Sequence, residues 1–189
     1  MQKIIIGIAG KMASGKGTVA NVLVSDYQAD RVRASKPLRL VLDQFLIPQK
    51  REHLQKLSTL LRQAFGEQTL IQSIVHQITQ STSSLVVFDG IRRTIDVQTL
   101  KTLPHFLFIY VDAPSQIRYE RYVKRNENPG DGTMTYEEFL KEDNAEPESE
   151  IEGLKSLADH VIDSSVSYDQ FHTDMRELFK TLPIESVLK

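Results

Sequence analysis

Short apolar or β-rich runs alternate along the chain with longer segments in which apolar residues recur every three or four positions. The runs occupy residues 4–9, 30–34, 85–88, 106–111 and 160–162. The strongest of them are apolar throughout, which is typical of parallel strands that helices cover on both faces. The pattern therefore predicts an α/β fold of three layers, with a parallel five-stranded sheet between two layers of helices.

The stretch between the second and third runs, residues 36–80, is too long for a simple connection between two strands. It carries three apolar stripes with helical spacing, and Pro48 and Gly66 separate them. We therefore predict a helical insertion here within a single domain. The polar faces of these helices are left available for binding.

A second departure from regular alternation is a segment rich in turn-forming residues at 126–134. Such a segment is typical of an exposed loop, and its position after a helix predicts a short lid. The core of the domain then comprises residues 1–35, 81–125 and 135–189. An acidic run at 142–150 has no fixed ligand spacing, so we interpret it as a solvated face.

The net charge and the cysteine content of the chain exclude several classes of function. The 189 residues carry a net charge of −2, which argues against a nucleic acid or an anionic membrane as partner. The absence of cysteine excludes disulfides, thiolate catalysis and cysteine-based zinc sites, and it fits a reducing compartment such as the cytoplasm. The first apolar run is short and leads directly into a glycine-rich loop, so it is interpreted as a strand and not as a signal peptide.

That loop, residues 10–18, reads GKMASGKGT and stands between the first predicted strand and a helical pattern. Glycines allow successive backbone N–H groups to face a polyphosphate, the helix N-terminus attracts negative charge, and Lys16 can reach the outer phosphates. The strict pattern has a hydroxyl directly after the lysine, whereas here Gly17 intervenes and the hydroxyl comes at Thr18. The predicted nucleotide-binding residues of the loop are Gly10, Ala13, Ser14, Gly15, Lys16, Gly17 and Thr18.

A second constellation begins at Asp89, which ends the third predicted strand. An aspartate at this place, with Thr18, is suited to hold Mg²⁺. The next residue is Gly90, so no glutamate follows to polarise a hydrolytic water, which disfavours a motor-type or AAA-type hydrolase. Arg92 and Arg93 come next. Their guanidinium groups suit phosphate oxygens, although a solvated turn would carry the same residues.

A third constellation lies on the predicted helix at 115–125. Arg121 and Arg125 stand four residues apart and so share a face of this helix, immediately before the predicted lid. Arginines placed there can stabilise the charge that develops during phosphoryl transfer. The alternative is an ordinary basic helix face that also includes Arg118 and Lys124.

Three segments resemble adenylate kinase and related nucleoside monophosphate kinases. They are the Gly-Lys-Gly-Thr loop at 15–18, the Asp-Gly-Ile-Arg-Arg-Thr segment at 89–94, and the Asp-Ala-Pro segment at 112–114 with the arginines that follow it. The resemblance implies a P-loop NTPase fold, with ATP and Mg²⁺ as cofactors and a small phosphorylated acceptor as partner. It also implies a short lid.

The same resemblance implies roles for the arginines. Arg93 would contact the phosphate of the acceptor, Arg121 the base and phosphates of ATP, and Arg125 the phosphates; Lys16 and these arginines form the predicted catalytic set. The chain also departs from the family. Arg92 replaces a proline and becomes a further acceptor candidate, and Gln98 falls one residue late for the glutamine that reads the base.

The insertion resembles the acceptor region of phage-type deoxynucleoside monophosphate kinases at 34–39 and 57–66. This resemblance implies that Arg39 and Arg62 contact the phosphate of the acceptor. Near the C-terminus, the segment 157–165 resembles the part of dephospho-coenzyme A kinases that passes close to the adenine of ATP, which adds Ser165 to the predicted nucleotide site.

The resulting hypothesis is ATP-dependent phosphoryl transfer to a nucleoside or deoxynucleoside monophosphate, which yields the diphosphate. One alternative is dephospho-coenzyme A kinase, whose acceptor is a hydroxyl and needs a carboxylate base, for which Asp30 or Asp43 would have to serve. Another is a nucleotide-dependent switch or hydrolase. The chain lacks the Asn-Lys-x-Asp segment that reads guanine, and this absence disfavours a GTPase.

Overall fold

The computed structural model describes residues 3–125, 131–144 and 148–184. It contains a parallel sheet of five strands in the order β2-β3-β1-β4-β5. The strands are β1 (Ile4–Ala9), β2 (Asp30–Arg33), β3 (Leu85–Asp89), β4 (Phe106–Asp112) and β5 (His160–Asp163). The predicted α/β fold with a parallel five-stranded sheet is confirmed.

Helices follow or connect these strands. They are α1 (Lys16–Tyr27), α2 (Ser35–Gln44), α3 (Arg51–Phe65), α4 (Thr69–Gln80), α5 (Thr94–Leu100), α6 (Ser115–Arg125), α7 (Tyr136–Asp143), α8 (Glu148–Gly153) and α9 (Tyr168–Thr181). Two short 3₁₀ helices span Asp131–Thr133 and Leu154–Leu157.

The central strand β1 is buried on both faces, which explains its uninterrupted apolar sequence. Because successive side chains of a strand point to opposite faces, β1 contributes to two separate cores. Ile4, Ile6 and Ile8 pack with α1 and α9, whereas Ile5 and Ala9 pack with α4 and α5. The sheet is therefore the middle layer of three.

Residues 36–80 form helices, as the apolar stripes predict. Of these, α4 buries Ile71, Ile74 and Ile78 in the same cluster as β3, so it belongs to the layer that covers the sheet. Helices α2 and α3 contact one another and leave large apolar side chains such as Phe45 and Phe65 exposed. They occupy the side of β2, at one end of the strand order.

Most of the predicted lid, residues 126–130, lies outside the described residues. The remainder packs against α6, where the hydroxyl of Tyr119 donates to the carbonyl of Met134 at 2.9 Å. A third apolar cluster joins Tyr122 and Phe139 to Met12 of the glycine-rich loop. Within the ranges that the structure describes, no helix combines the length and the hydropathy needed to cross a membrane.

Helix α9 provides a test of the core that supports the loop. Phe179 is fully buried and meets the ring of Tyr27 edge-on, with 5.4 Å between the ring centroids. We expect Phe179→Ala to lower the free energy of unfolding by about 3–5 kcal/mol, because it leaves a cavity between α1 and α9. Urea denaturation measures the effect. Phe65→Ala, at a side chain that is 73% exposed, is the matched control; equal effects of the two variants would contradict this packing.

Candidate active site

The glycine-rich loop connects β1 to α1 and forms a tight turn over the carboxyl edge of the sheet. Gly15, at the N-terminus of α1, has a φ of +94°, a conformation that side chains rarely adopt. A Cβ at Gly10 would collide with the backbone carbonyl of Val111 on β4. These glycines are therefore required by the close approach of loop and sheet, which brings the loop amides to the helix N-terminus.

The first turn of α1 carries the residues predicted to hold phosphate. Helix α1 begins at Lys16, and the amides of Thr18 and Val19 in its first turn donate to the carbonyl of Gly15 at 2.9 and 3.2 Å. The partial positive charge of a helix N-terminus attracts an anion. The ammonium group of Lys16 donates to the carbonyl of Lys11 at 3.1 Å and so lies over the loop. The prediction that Lys16 holds the outer phosphates of a nucleotide stays a prediction.

Ser164, which the sequence analysis did not select, holds the loop from the side of β5. Its hydroxyl is fully buried and donates to the carbonyl of Ser14 at 2.6 Å, and it accepts from Arg121 at 3.0 Å. The neighbouring Ser165 instead uses its amide, which donates to the carboxylate of Asp163 at 2.7 Å. Both serines lie in the segment 157–165, and burial shows which of the two contacts the loop.

A cavity of about 200 Å³ lies beside the loop and brings several predicted nucleotide contacts together. Its walls combine loop backbone, one guanidinium group and apolar or aromatic side chains, a composition that suits a flat heterocycle attached to phosphates. The lining residues are Gly15, Thr18, Arg121, Val166, Tyr168 and Phe171. Arg125, by contrast, is exposed at the end of α6, next to the undescribed residues 126–130.

Arg118 is buried, contrary to its interpretation as part of a basic helix face. Its guanidinium group donates to the carbonyl of Ala113 at 3.0 Å, to the carbonyl of Met12 at 3.2 Å, and to both carboxylate oxygens of Asp143, at 2.5 and 2.7 Å. One side chain thus connects the loop, the end of β4 and α7. Asp143 is 2% exposed, so the interpretation of the whole acidic run as a solvated face is wrong at this residue.

Asp143 has a second cationic partner, because the ammonium group of Lys11 lies 3.3 Å from its carboxylate. Burial acts to raise the pKa of Asp143, but the hydrogen bonds and charge of Arg118, together with the charge of Lys11, outweigh burial and hold this pKa below its ordinary value. The carboxylate is therefore ionised in the folded protein at neutral pH.

Asp89, the predicted magnesium ligand, forms an ion pair with Arg31 of β2. Among the described residues, no group of three histidine, aspartate or glutamate side chains could hold a metal ion by itself. Mg²⁺ at a kinase or ATPase site usually takes one or two carboxylates and receives its other ligands from phosphates and water. A hydroxyl and a carboxylate, as Thr18 and Asp89 carry, are ligand types that such an ion takes.

Two groups of basic side chains lie near the carboxyl ends of β2 and β3. The first, which we call the β2 cleft, is a cavity of about 460 Å³ where β2 meets α2. Its lining residues are Arg31, Arg33, Ser35, Lys36, Arg39, Leu40, Asp43 and Gln49. Arg39, a predicted acceptor ligand, and Asp43, a candidate base for a hydroxyl acceptor, both line this cleft. The guanidinium group of Arg39 donates to Gln49 at 3.1 Å.

The second group, which we call the arginine pair, consists of Arg62 on α3 and Arg93 after β3. Both contact the carboxylate of Glu67, Arg93 at 2.6 Å and Arg62 at 3.8 Å. The carboxylate of Asp96 fixes the loop that presents Arg93, since it accepts the amides of Arg92 and Arg93 at 3.2 and 3.1 Å. Burial raises the pKa of Asp96, and these two amides oppose the rise. The side chain of Arg92 itself is exposed.

The β2 cleft and the loop that carries Arg93 are neighbours. A Cβ placed on Gly90 would lie 3.4 Å from the Cβ of Ala34, the residue between β2 and α2. Arg39, Arg62 and Arg93 therefore belong to two adjoining surfaces rather than to one cluster.

The sequence is similar to two archaeal proteins, each described as a UPF0200 protein. The one from Sulfurisphaera tokodaii is 28% identical over 179 residues, which cover 94% of this chain and 97% of the relative. The one from Hyperthermus butylicus is 28% identical over 185 residues, which cover 95% of each chain. No model of a protein family matches the sequence.

The fold is similar to that of solved kinases. A shikimate kinase from Bacteroides thetaiotaomicron aligns with a TM-score of 0.62 at 11% identity, covering 94% of this chain and 97% of the other. A gluconokinase from Sinorhizobium meliloti aligns with a TM-score of 0.55 at 12% identity, again covering 94% and 97%. At these identities the likeness shows a P-loop kinase fold.

The buried ion pair predicts a pH-dependent loss of stability. Asp143→Asn leaves the buried guanidinium group of Arg118 without its counter-ion, so we expect the free energy of unfolding at pH 7 to fall by about 3–5 kcal/mol. Because the pKa of Asp143 is depressed in the folded state, its contribution is complete well above its ordinary pKa of 3.8 and is lost as the pH falls through the lower folded value.

Urea denaturation of wild type and Asp143→Asn at several pH values between 7 and about 3 measures this difference. We expect the difference in stability between the two proteins to shrink toward the acid end of the series. Glu177→Gln, at an exposed acid on α9, is the control and should change stability by less than about 0.5 kcal/mol. A difference that stays constant with pH would contradict an ionised, paired Asp143.

Proposed function

We propose that this protein transfers the γ-phosphoryl group of ATP to a small phosphorylated acceptor, and that the acceptor is a nucleoside or deoxynucleoside monophosphate. The observation that carries the proposal is the row of neighbouring residues Ile8, Asp89 and Arg33 on β1, β3 and β2. Adjacent strands lie about 4.8 Å apart. The backbone at the start of the phosphate loop is therefore roughly 10 Å from the backbone of Arg33, two strands away.

The donor side of the reaction would use the loop. Lys16 and the first amides of α1 would hold the outer phosphates, and Arg121, held by Ser164, would contact the base and phosphates in the adjoining cavity. Thr18 and Asp89 would hold Mg²⁺, which supplies charge neutralisation at the phosphates when bound. Arg125 would add positive charge from the end of α6. Charged groups that are fixed before reaction would stabilise the transition state electrostatically.

The acceptor side would use the arginines at the carboxyl ends of β2 and β3. A phosphate is already a competent nucleophile, so its attack on the γ-phosphorus needs positioning and charge neutralisation more than a base. Arg62 and Arg93 would hold the acceptor phosphate, while Arg39 in the β2 cleft and Arg92 would contact the rest of the acceptor. Residues 126–134 would form the lid, and closure there would exclude water.

The end of β2 supports a phosphorylated acceptor over a hydroxyl acceptor. Arg33 ends β2, and the side chain of Arg31 reaches Asp89 at the end of β3; a hydroxyl acceptor would require a carboxylate base here. Asp30 begins β2 at the opposite edge of the sheet and accepts from the hydroxyl of Ser81 at 2.7 Å, so it is far from the phosphate loop. Asp43 lines the β2 cleft, where it is placed to serve as this base. Dephospho-coenzyme A kinase therefore stays the alternative.

ADP formation from ATP and Mg²⁺ tests the proposal, with all ribo- and deoxyribonucleoside monophosphates and dephospho-coenzyme A screened as acceptors. We expect one monophosphate to accelerate turnover strongly. Lys16→Ala should lower this rate by at least about 100-fold, because it removes the cation nearest the outer phosphates. Circular dichroism should show that the variant keeps its fold.

Lys180→Ala, at an exposed lysine of α9, is the control and should retain the wild-type rate. Normal turnover by Lys16→Ala would refute the assignment of the phosphate loop. Turnover that no acceptor accelerates would instead favour a nucleotide-dependent switch or hydrolase.

Asp43→Asn separates the two kinase hypotheses. For a phosphate acceptor we expect kcat to change by less than about 3-fold, since no proton has to be removed from the nucleophile. If Asp43 deprotonates the hydroxyl of dephospho-coenzyme A, kcat should fall by about 100- to 10,000-fold. Steady-state rates with the best acceptor of the screen decide between them.

A further inference from the structure

Glu67 occupies the space between the two guanidinium groups of the arginine pair. It lies in the short connection between α3 and α4, and one of its carboxylate oxygens is 2.6 Å from Nη1 of Arg93 and 3.8 Å from Nε of Arg62. The side chains of the two arginines are 26% and 16% exposed, whereas that of Glu67 is 59% exposed. A solvent-exposed carboxylate thus neutralises two half-buried cations.

The electrostatics of the arginine pair explain why an anion is needed there. Burial lowers the pKa of Arg62, the charge of Arg93 lowers it further, and the charge of Glu67 is the first of the opposing influences. Two guanidinium groups that are held together and partly removed from water repel one another. A negatively charged group between them is therefore favourable, whichever molecule supplies it.

Each arginine also has contacts that do not depend on Glu67. Nη1 of Arg62 donates to the hydroxyl of Ser58 one turn earlier on α3, at 2.5 Å. The backbone of Arg93 is fixed by the carboxylate of Asp96. The backbone of Arg93 and the side chain of Arg62 would consequently keep their positions after the carboxylate of Glu67 moved away. Both guanidinium groups would then be within reach of an anion that took its place.

A phosphate monoester is well matched to replace this carboxylate. It carries a charge of about −1.5 to −2 at neutral pH and three strong acceptor oxygens, whereas Glu67 carries a single charge. Exposed ion pairs contribute little to stability, so the loss of the Glu67 contacts costs little. Arginine forks bind phosphate oxygens in two places, which favours the exchange further.

We propose that Glu67 is an internal placeholder for the phosphate group of the acceptor, and that a phosphate monoester displaces it from the arginine pair. The inference rests on the proposed function, since it names the group that this function would bind between Arg62 and Arg93. Glu67 then acts as a built-in competitor: it stabilises the empty site and lowers the apparent affinity for acceptors. Its removal therefore strengthens binding.

Methyl phosphate, titrated into the full chain at pH 8 and followed by NMR, tests the site without requiring catalysis. We expect Glu67→Gln to lower the dissociation constant by about 3- to 10-fold, because the amide does not compete for the guanidinium groups. Glu150→Gln is the matched control. Glu150 also acts on Arg62 through its charge, so this variant removes the same charge from the same neighbourhood. It should change the dissociation constant by less than about 2-fold.

A second pair of variants locates the effect. Arg93→Gln should weaken the binding of methyl phosphate, and in this background Glu67→Gln should no longer improve it. If Glu67→Gln binds methyl phosphate equally well or more weakly than wild type, the proposal is overturned. Glu67 would then only stabilise the positions of the two arginines. An equal gain in affinity from Glu150→Gln would also overturn the proposal. The gain would then come from the change in net charge near the site and not from the removal of a competing carboxylate.

Kinetics with the acceptor of the screen provide a second readout. We expect Glu67→Gln to lower the KM for the acceptor while kcat stays within about 2-fold of wild type. The two proposals can fail separately. Displacement of Glu67 by methyl phosphate without any accelerated ADP formation would support the anion site and contradict the kinase.

Discussion

The buried ion pair of Arg118 and Asp143 is the interaction on which the arrangement of the site depends. A single guanidinium group satisfies carbonyls of the phosphate loop and of the end of β4, and its charge is balanced by α7. Ser164 supports the same loop from the side of β5. The loop is thus fixed from two directions by groups outside it, which matters because a preorganised loop need not be ordered when the proposed nucleotide binds.

The fold and the position of the glycine-rich loop could be predicted because their signals are local. An uninterrupted apolar run such as residues 106–111 indicates a buried parallel strand wherever it occurs, and the glycines, Lys16 and Thr18 of the loop are close in sequence. Arg118 and Asp143 are 25 residues apart, and both lie in charged segments that look solvated. Their burial is a property of how α6 and α7 pack, so the sequence pattern could not reveal it.

The spatial arrangement of the residues proposed to bind the acceptor also could not be predicted from the sequence. Arg39, Arg62 and Arg93 could be selected as phosphate ligands one by one, but their division between the β2 cleft and the arginine pair follows from which face each helix covers. The pairing of Arg31 with Asp89 depends on the register of β2 against β3, which also sets Arg33 beside Asp89. The sequence pattern indicates no role for Glu67, because a single glutamate after a glycine is an ordinary loop residue. Its contact with two arginines depends on the packing of the loops.

All strands of the sheet run in parallel, and the loops discussed above leave it at its carboxyl edge. The opposite edge, where Asp30 begins β2 and Leu85 begins β3, carries none of the residues assigned to binding. The chain has no cysteine of its own. A single cysteine introduced at the amino edge would therefore be a unique attachment point for a fluorophore or a solid support, on the side of the molecule that faces away from the glycine-rich loop.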